Sequence, residues 1–301
     1  MVYDIAVIGA GIAGMTAAIY ACRAGKSVVV FEKESIGGQI SLSPKVENYP
    51  GFSEVSGLDL SESIFSQMTG LGAAFEVDEV LSVKKEDGVF RLICNYGEHQ
   101  AKAVVLASGM KHRKLEAAAE FEGRGVSYCA VCDGMFYKGK TVAVVGGGNT
   151  AVTEALYLSE ICEKVYLVHR RSGYRAEKAV MDRLYSKSNI ERLENKVVIS
   201  VSGDTRAERL TIKDTADGSQ MSIDIDGLFV ALGHEPQSAA FAELLKLDES
   251  GFVMADESCE TDVPGLFVAG DCRKKAVRQL TTAASDGACA GIAAAKYIES
   301  L

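Results

Sequence analysis

Apolar residues fall along this chain in short unbroken blocks closed by glycine, and the blocks alternate with segments of helical period. Tyr3–Ile8, Ser27–Phe31, Ala103–Ala107, Lys140–Val145, Val165–Val168, Leu228–Gly233 and the run over 264–271 read as strands covered on both faces. Met15–Ala24 and Thr150–Leu158 follow glycine turns as helices, and a further helix begins near Arg278. Leu58–Leu71 carries Leu60, Ile64, Phe65, Met68 and Leu71 at helical spacing, and Ala176–Tyr185 is amphipathic in the same way. Two stretches alternate instead: Glu76–Val83 with Val89–Asn95 around Asp87-Gly88, and Arg206–Lys213 with Met221–Ile225 around Asp217-Gly218. Strands that alternate with helices predict an α/β chain with parallel sheets.

Two of the strand ends carry glycines at positions that matter. After the first strand stands Gly9-Ala10-Gly11-Ile12-Ala13-Gly14, followed by a helix and a strand that ends at Glu32. Gly9 permits the tight turn, Gly11 lets a pyrophosphate approach the backbone, and Gly14 lets helix and strand pack closely. A carboxylate at Glu32 suits the hydroxyls of an unphosphorylated ribose, so either FAD or NAD satisfies this module. The second fingerprint, Gly146-x-Gly148-x-x-Ala151 with Asn149 and Thr150, leads to a strand that ends in His169-Arg170-Arg171, with Arg175 beyond. Guanidinium forks bind phosphate oxygens that a carboxylate would repel, which assigns NADPH to the second module.

Between the modules lies Cys129-Ala130-Val131-Cys132-Asp133-Gly134. Thiols at this spacing can close into a small disulfide ring and exchange two electrons, with Asp133 placed to move protons. A carboxyl held near two thiols loses solvent, so its pKa is expected to be raised.

At 301 residues the chain calls for two domains, and its net charge of -9 excludes a non-specific nucleic-acid surface. The uncharged run Ile5–Cys22 is long enough for a membrane span, but glycines interrupt it and no signal-peptide pattern frames it, so a cytoplasmic location is expected. Of the eight cysteines, Cys22, Cys94, Cys162 and Cys289 are expected as small buried hydrophobes, and no chemistry is assigned to Cys259 or Cys272. One C-x-x-C without a second pair gives no expectation of a metal.

The order of these motifs resembles the bacterial-type, low-molecular-weight thioredoxin reductases over nearly the whole chain. Gly37-Gly38-Gln39, Glu47-Asn48-Tyr49-Pro50-Gly51 and Gly265–Asp271 with Arg278-Gln279 add to it. The resemblance implies two Rossmann-like three-layer domains, with an NADPH domain (113–241) inserted into an FAD domain (1–112 and 242–301). It implies FAD contacts at Gly9, Gly11, Gly14, Glu32, Lys33, Gly38, Gln39, Asn48, Gly109, Asp271, Arg278 and Gln279. NADPH contacts are implied at Gly146, Gly148, Asn149, Thr150, His169, Arg170, Arg171 and Arg175. It further implies a homodimer, electron entry through Cys132, attack on thioredoxin by Cys129, proton transfer by Asp133, and domain rotation at hinges near Lys111 and Pro236.

The sequence departs from the family at Thr153, where an acid is common, at Ser108, where threonine is usual, and in the alanine-rich connection Leu115–Glu122. Other acceptors or donors, such as a peroxiredoxin-type partner or a ferredoxin, define the alternatives, together with an NADPH oxidase or ferredoxin reductase and a non-enzymatic redox sensor. Phe136 is a candidate contact for a protein partner.

Overall fold

The computed structural model describes residues 2–43 and 45–301 and divides them into two compact units, one formed by the two ends of the chain and one by residues 112–234. In the terminal unit, β1 (Val2–Ile8) runs into α1 (Ile12–Arg23), and β2 (Val28–Glu32) returns parallel to β1. After α2 (Gly57–Gly70), the segment expected as one strand is broken into β3 (Ala74–Val77) and β4 (Val80–Glu86). The break falls at Asp78, 8% exposed, whose carboxylate accepts the amides of Asn95 and Tyr96 at 3.0 and 3.1 Å. As a result β3 pairs parallel with β2, while β4 pairs antiparallel with β5 (Val89–Cys94). β6 (Glu98–Leu106) starts well ahead of the expected Ala103, because its first residues pair with β5 before its last ones pair with β1.

The chain leaves this unit through β7 (Met110–His112). In the inserted unit, β8 (Val126–Ser127), the one-turn α3 (Ala130–Asp133), β9 (Thr141–Val145), α4 (Asn149–Ser159), β10 (Lys164–His169), α5 (Lys178–Ser186) and β11 (Ile190–Glu194) follow in order. β12 (Lys196–Ser202), β13 (Arg209–Asp214) and β14 (Gln220–Asp224) form an antiparallel sheet where a two-stranded hairpin was expected. β15 (Gly227–Val230) completes a five-stranded parallel sheet in the order β11-β10-β9-β15-β8. Val142, Val144, Leu167 and Phe229 bury one face of that sheet against α4 and α5, and Ala143, Val145, Leu228 and Val230 bury the other against Leu210 and Ile212. These are the three layers that unbroken apolar strands require.

β16 (His234–Pro236) carries the chain back. The second crossing thus lies at 234/235, ahead of the expected 241/242, because Phe241 and Leu245 already belong to the terminal unit's core. There β17 (Leu266–Val268) pairs parallel with β6, and α6 (Leu280–Glu299) packs on α1. The contact is close: an added Cβ at Gly287 or Gly291 would stand 2.2 or 2.4 Å from a carbonyl oxygen of α1. A buried ionic knot, invisible in the sequence, ties α6 to the loop before it. Asp286, 5% exposed, accepts from Arg273 at 3.0 Å, from Lys275 at 2.8 Å and from the Gly270 amide at 3.0 Å.

Candidate functional site

In the terminal unit, the turn from β1 to α1 is shaped by close approach. A Cβ on Gly9, at φ +105°, would lie 2.4 Å from the Ala107 carbonyl oxygen, and one on Gly14 would lie 1.9 Å from that of Gly9. A Cβ on Gly11 would meet nothing nearer than 4.0 Å, so the space above the helix N-terminus is open. Substituting Gly14 by alanine is therefore expected to destabilise the fold by about 1–3 kcal/mol in denaturant unfolding. Gly11→Ala is expected to change unfolding by only about 1 kcal/mol or less and to act on ligand retention instead.

The Glu32 carboxylate ends β2 and accepts the amides of Ala10 and Glu34, each at 2.9 Å, which fixes it over the turn. Lys33 pairs with Glu79 at 3.1 Å. Glu32, Lys33, Gly9 and Ser108 line a cavity of about 240 Å³ that also reaches Gln237. The Gly37-Gly38 loop, both residues at positive φ, lies against Gly11, where a Cβ on Gly38 would stand 3.8 Å from the Gly11 Cα. Gln39 donates to the Met110 carbonyl, and Asn48 donates to Gln279 at 3.2 Å, which joins two distant loops at the start of α6. Gly109 has φ +65°.

Two buried polar atoms here, Ser108 Oγ and Asp271 Oδ1, have no hydrogen-bond partner. Burial pushes the Asp271 carboxyl up, against the pull of Lys275 and Arg278. Orphaned acceptors beside an open glycine turn are what a bound dinucleotide with ribityl or ribose hydroxyls would satisfy. Arg278 is held differently from a free contact residue, since it stacks over Phe252 at 4.1 Å and reaches the Asp271 carbonyl at 3.4 Å.

The inserted unit repeats the cradle. A Cβ on Gly146 would be 2.3 Å from the Ala231 oxygen, whereas one on Gly148, at the N-terminus of α4, would meet nothing within 4 Å. The Arg175 amide donates to the Gly147 carbonyl at 2.7 Å, folding the basic loop over the turn, and Arg170, Arg171 and Arg175 remain exposed. Thr150 is exposed at the first turn of α4. Asn149 turns toward Glu177, accepting its amide at 2.9 Å. His169 is not presented with the arginines: it is 8% exposed, lies under Gly147 and stacks on Tyr174 at 5.3 Å. Burial and the neighbouring arginines lower its pKa, so it supports the turn as a neutral ring.

Cys129 and Cys132 are joined in a disulfide, with Cα atoms 5.3 Å apart. Cys129 caps α3, its Sγ accepting the Cys132 amide at 3.2 Å, and Cys132 is exposed. Ser127, which sequence reasoning missed, connects the site. Its hydroxyl donates to Asp133 at 2.6 Å and accepts the Cys129 amide at 3.1 Å. Burial raises the Asp133 pKa, offset in part by that hydrogen bond. The alanine-rich connection forms a 3-10 turn over Glu116–Phe121, with Ala118 and Phe121 in the core. Glu122 accepts a hydrogen bond from the Tyr128 hydroxyl and pairs with Lys114 at 2.7 Å.

Val131, between the two cysteines, and Met135 are each 54% exposed, and no periodic signal marked them; Phe136, the expected partner contact, is half-buried. Among the other thiols Cys94, Cys162, Cys259 and Cys272 are buried and Cys22 half-buried, while Cys289 is exposed on α6 rather than packed in the core. No described helix is long and apolar enough to cross a membrane.

A disulfide on a unit with a glycine cradle and exposed arginines is an arrangement that could draw electrons from a bound nucleotide. The class so defined is that of nucleotide-dependent dithiol oxidoreductases. The chain belongs to the pyridine nucleotide-disulphide oxidoreductase family, which matches over residues 3–287. It is a flavoprotein oxidoreductase by that membership, one that uses a flavin and a pyridine nucleotide. It is 41% identical to the thioredoxin reductase of Listeria innocua, covering 100% of this chain and 95% of that one, and 42% identical to that of Helicobacter pylori, covering 98% and 99%. The thioredoxin reductase structures from Streptococcus pyogenes and Giardia duodenalis superpose with TM-scores of 0.95 and 0.93, at 35% and 33% identity. They cover 100% and 99% of this chain, and 99% of each of those chains is covered.

Proposed function

We propose that this chain is an NADPH-dependent thioredoxin reductase, with FAD in the terminal unit and NADPH in the inserted one. The observation that carries the reading is the Cys129–Cys132 disulfide with Asp133 hydrogen-bonded through Ser127 behind it, on the unit whose cradle ends in exposed arginines. Glu32, Asp271 and the open space at Gly11 fit FAD, with Lys33, Gly38, Gln39, Asn48, Gly109, Arg278 and Gln279 around it. Gly146, Gly148, Asn149, Thr150, Arg170, Arg171 and Arg175 fit NADPH, with His169 beneath. The flavin, when bound, takes a hydride from the reduced nicotinamide and passes the electron pair to sulfur.

The chain's own residues do the rest. Cys132, the exposed sulfur, receives the electron pair as the S–S bond breaks, and Cys129 leaves as a thiolate. Asp133 supplies the proton that one of the two sulfurs takes up. The Cys129 thiolate then attacks the partner's disulfide, forming a mixed disulfide and expelling a partner thiolate. Cys132 closes the ring by attacking Cys129, releasing the second partner sulfur, while Asp133 recovers its proton. Val131 and Met135 give the partner apolar contact beside the sulfurs. Rotation about the crossings at 111/112 and 234/235 would bring nicotinamide and disulfide to the flavin in turn. A cytoplasmic homodimer completes the reading.

The test is an anaerobic titration with NADPH, following flavin absorbance, then addition of oxidised thioredoxin. Bleaching on the first addition and recovery of colour on the second are expected. A colourless protein that takes up no FAD, or bleached flavin that thioredoxin leaves bleached, would overturn the reading. Replacing Arg170 and Arg171 together by alanine is expected to raise KM for NADPH against NADH by on the order of 10²-fold, since each charge-assisted hydrogen bond contributes about 1.5–3 kcal/mol. Steady-state kinetics with the two nucleotides checks it.

A further inference from the structure

Ala151, Val152, Ala155, Leu156 and Leu158 of α4 are buried, and Glu154 beside them is half-buried. Its Oε1 accepts the amide of Ala130, the residue after the first cysteine, at 3.4 Å. Its Oε2 is buried and has no hydrogen-bond partner. Among the described residues it makes no ion pair, and the turn it contacts carries one titratable group, Asp133, beside the two disulfide-bonded cysteines. An unpaired carboxylate left like this loses solvation, which favours its protonated form. In keeping with that, burial pushes its pKa up to about 7 against the pull of the Ala130 amide.

Four amides of the redox turn have acceptors. Cys129 gives its N–H to Ser127, Ala130 to Glu154, Cys132 to the Cys129 sulfur, and Asp133 to the Cys129 carbonyl. Glu154 is the one holder among these that comes from another element across the core. We propose that Glu154 is a positioning residue for the dithiol: through Oε1 it holds the Ala130 amide and so ties the redox turn to α4. The inference rests on the dithiol being the working centre of the proposed reductase.

Two variants of the full chain test it. Glu154→Gln keeps a neutral acceptor of the same shape, and Glu154→Met fills the same volume with none. Each is reduced, and iodoacetamide alkylation is followed by mass at the peptide holding Cys129 and Cys132, alongside the dithiol–disulfide equilibrium against dithiothreitol.

Loss of the acceptor frees the turn whose amides favour the Cys129 thiolate, so Met is expected to slow alkylation about three- to tenfold and shift the equilibrium. Gln is expected to match the parent chain within about twofold. Met behaving as the parent would overturn the proposal, as would Gln deviating as far as Met. Neither readout uses NADPH or thioredoxin. A parent chain that fails to reduce thioredoxin while the two variants still differ would therefore refute the function alone.

Discussion

Serine in place of Cys129 is expected to lower NADPH-driven reduction of thioredoxin by on the order of 10⁴-fold or more, because removing the nucleophile of a covalent relay removes the relay. The hydroxyl of serine is not ionised near neutral pH and cannot form the mixed disulfide. Flavin bleaching by NADPH should persist in this variant, since neither cradle is touched by the change. The residual rate in stopped-flow and steady-state assays is the measurement. A variant that kept even a tenth of the parent rate would place the exchange elsewhere.

Asp133→Asn is expected to lower turnover by about 10²- to 10⁴-fold, the usual worth of a positioned proton donor. Asparagine can still accept the Ser127 hydroxyl proton, so the turn should stay formed and the disulfide should still close. The effect should therefore appear in kcat and in its pH dependence more than in KM. Burial raises the Asp133 pKa above the ordinary carboxylate range, and the group therefore keeps its proton to higher pH. Formation of the dithiol should fall as pH rises through that raised pKa, where the donor becomes an anion, and the asparagine variant should flatten this limb of the profile. Unchanged limbs in the variant would assign the proton to another group.

The glycines, the acid at the end of β2, the arginines after β10 and the cysteine pair were legible because each is a local demand. Gly9 needs its φ, Gly14 and Gly146 need the absence of a Cβ, and two thiols two residues apart can meet without help from the rest of the chain. Strand blocks such as those of β1 and β9 were legible for the same reason, being apolar over their buried stretches, residues 5–8 and 142–145. Local pattern failed where distant segments compete for one stretch. Asp78 breaks a strand because amides seventeen and eighteen residues away need its oxygens, and β6 extends because two partners share it.

The site shows the same division. The sequence alone determined which chemistry the chain carries, through a dithiol, an adjacent carboxyl and two cradles of opposite charge preference. Tertiary structure decided which groups stand near these motifs. It turned His169 under Gly147 and away from the arginines, set the Ser127 hydroxyl between Cys129 and Asp133, and laid Glu154 of α4 against Ala130. The physical reason is one of range. A turn's dihedral angles and a motif's spacing are fixed by neighbours along the chain, whereas burial, and with it the ionisation of an acid or a histidine, is fixed by whatever the fold packs above it.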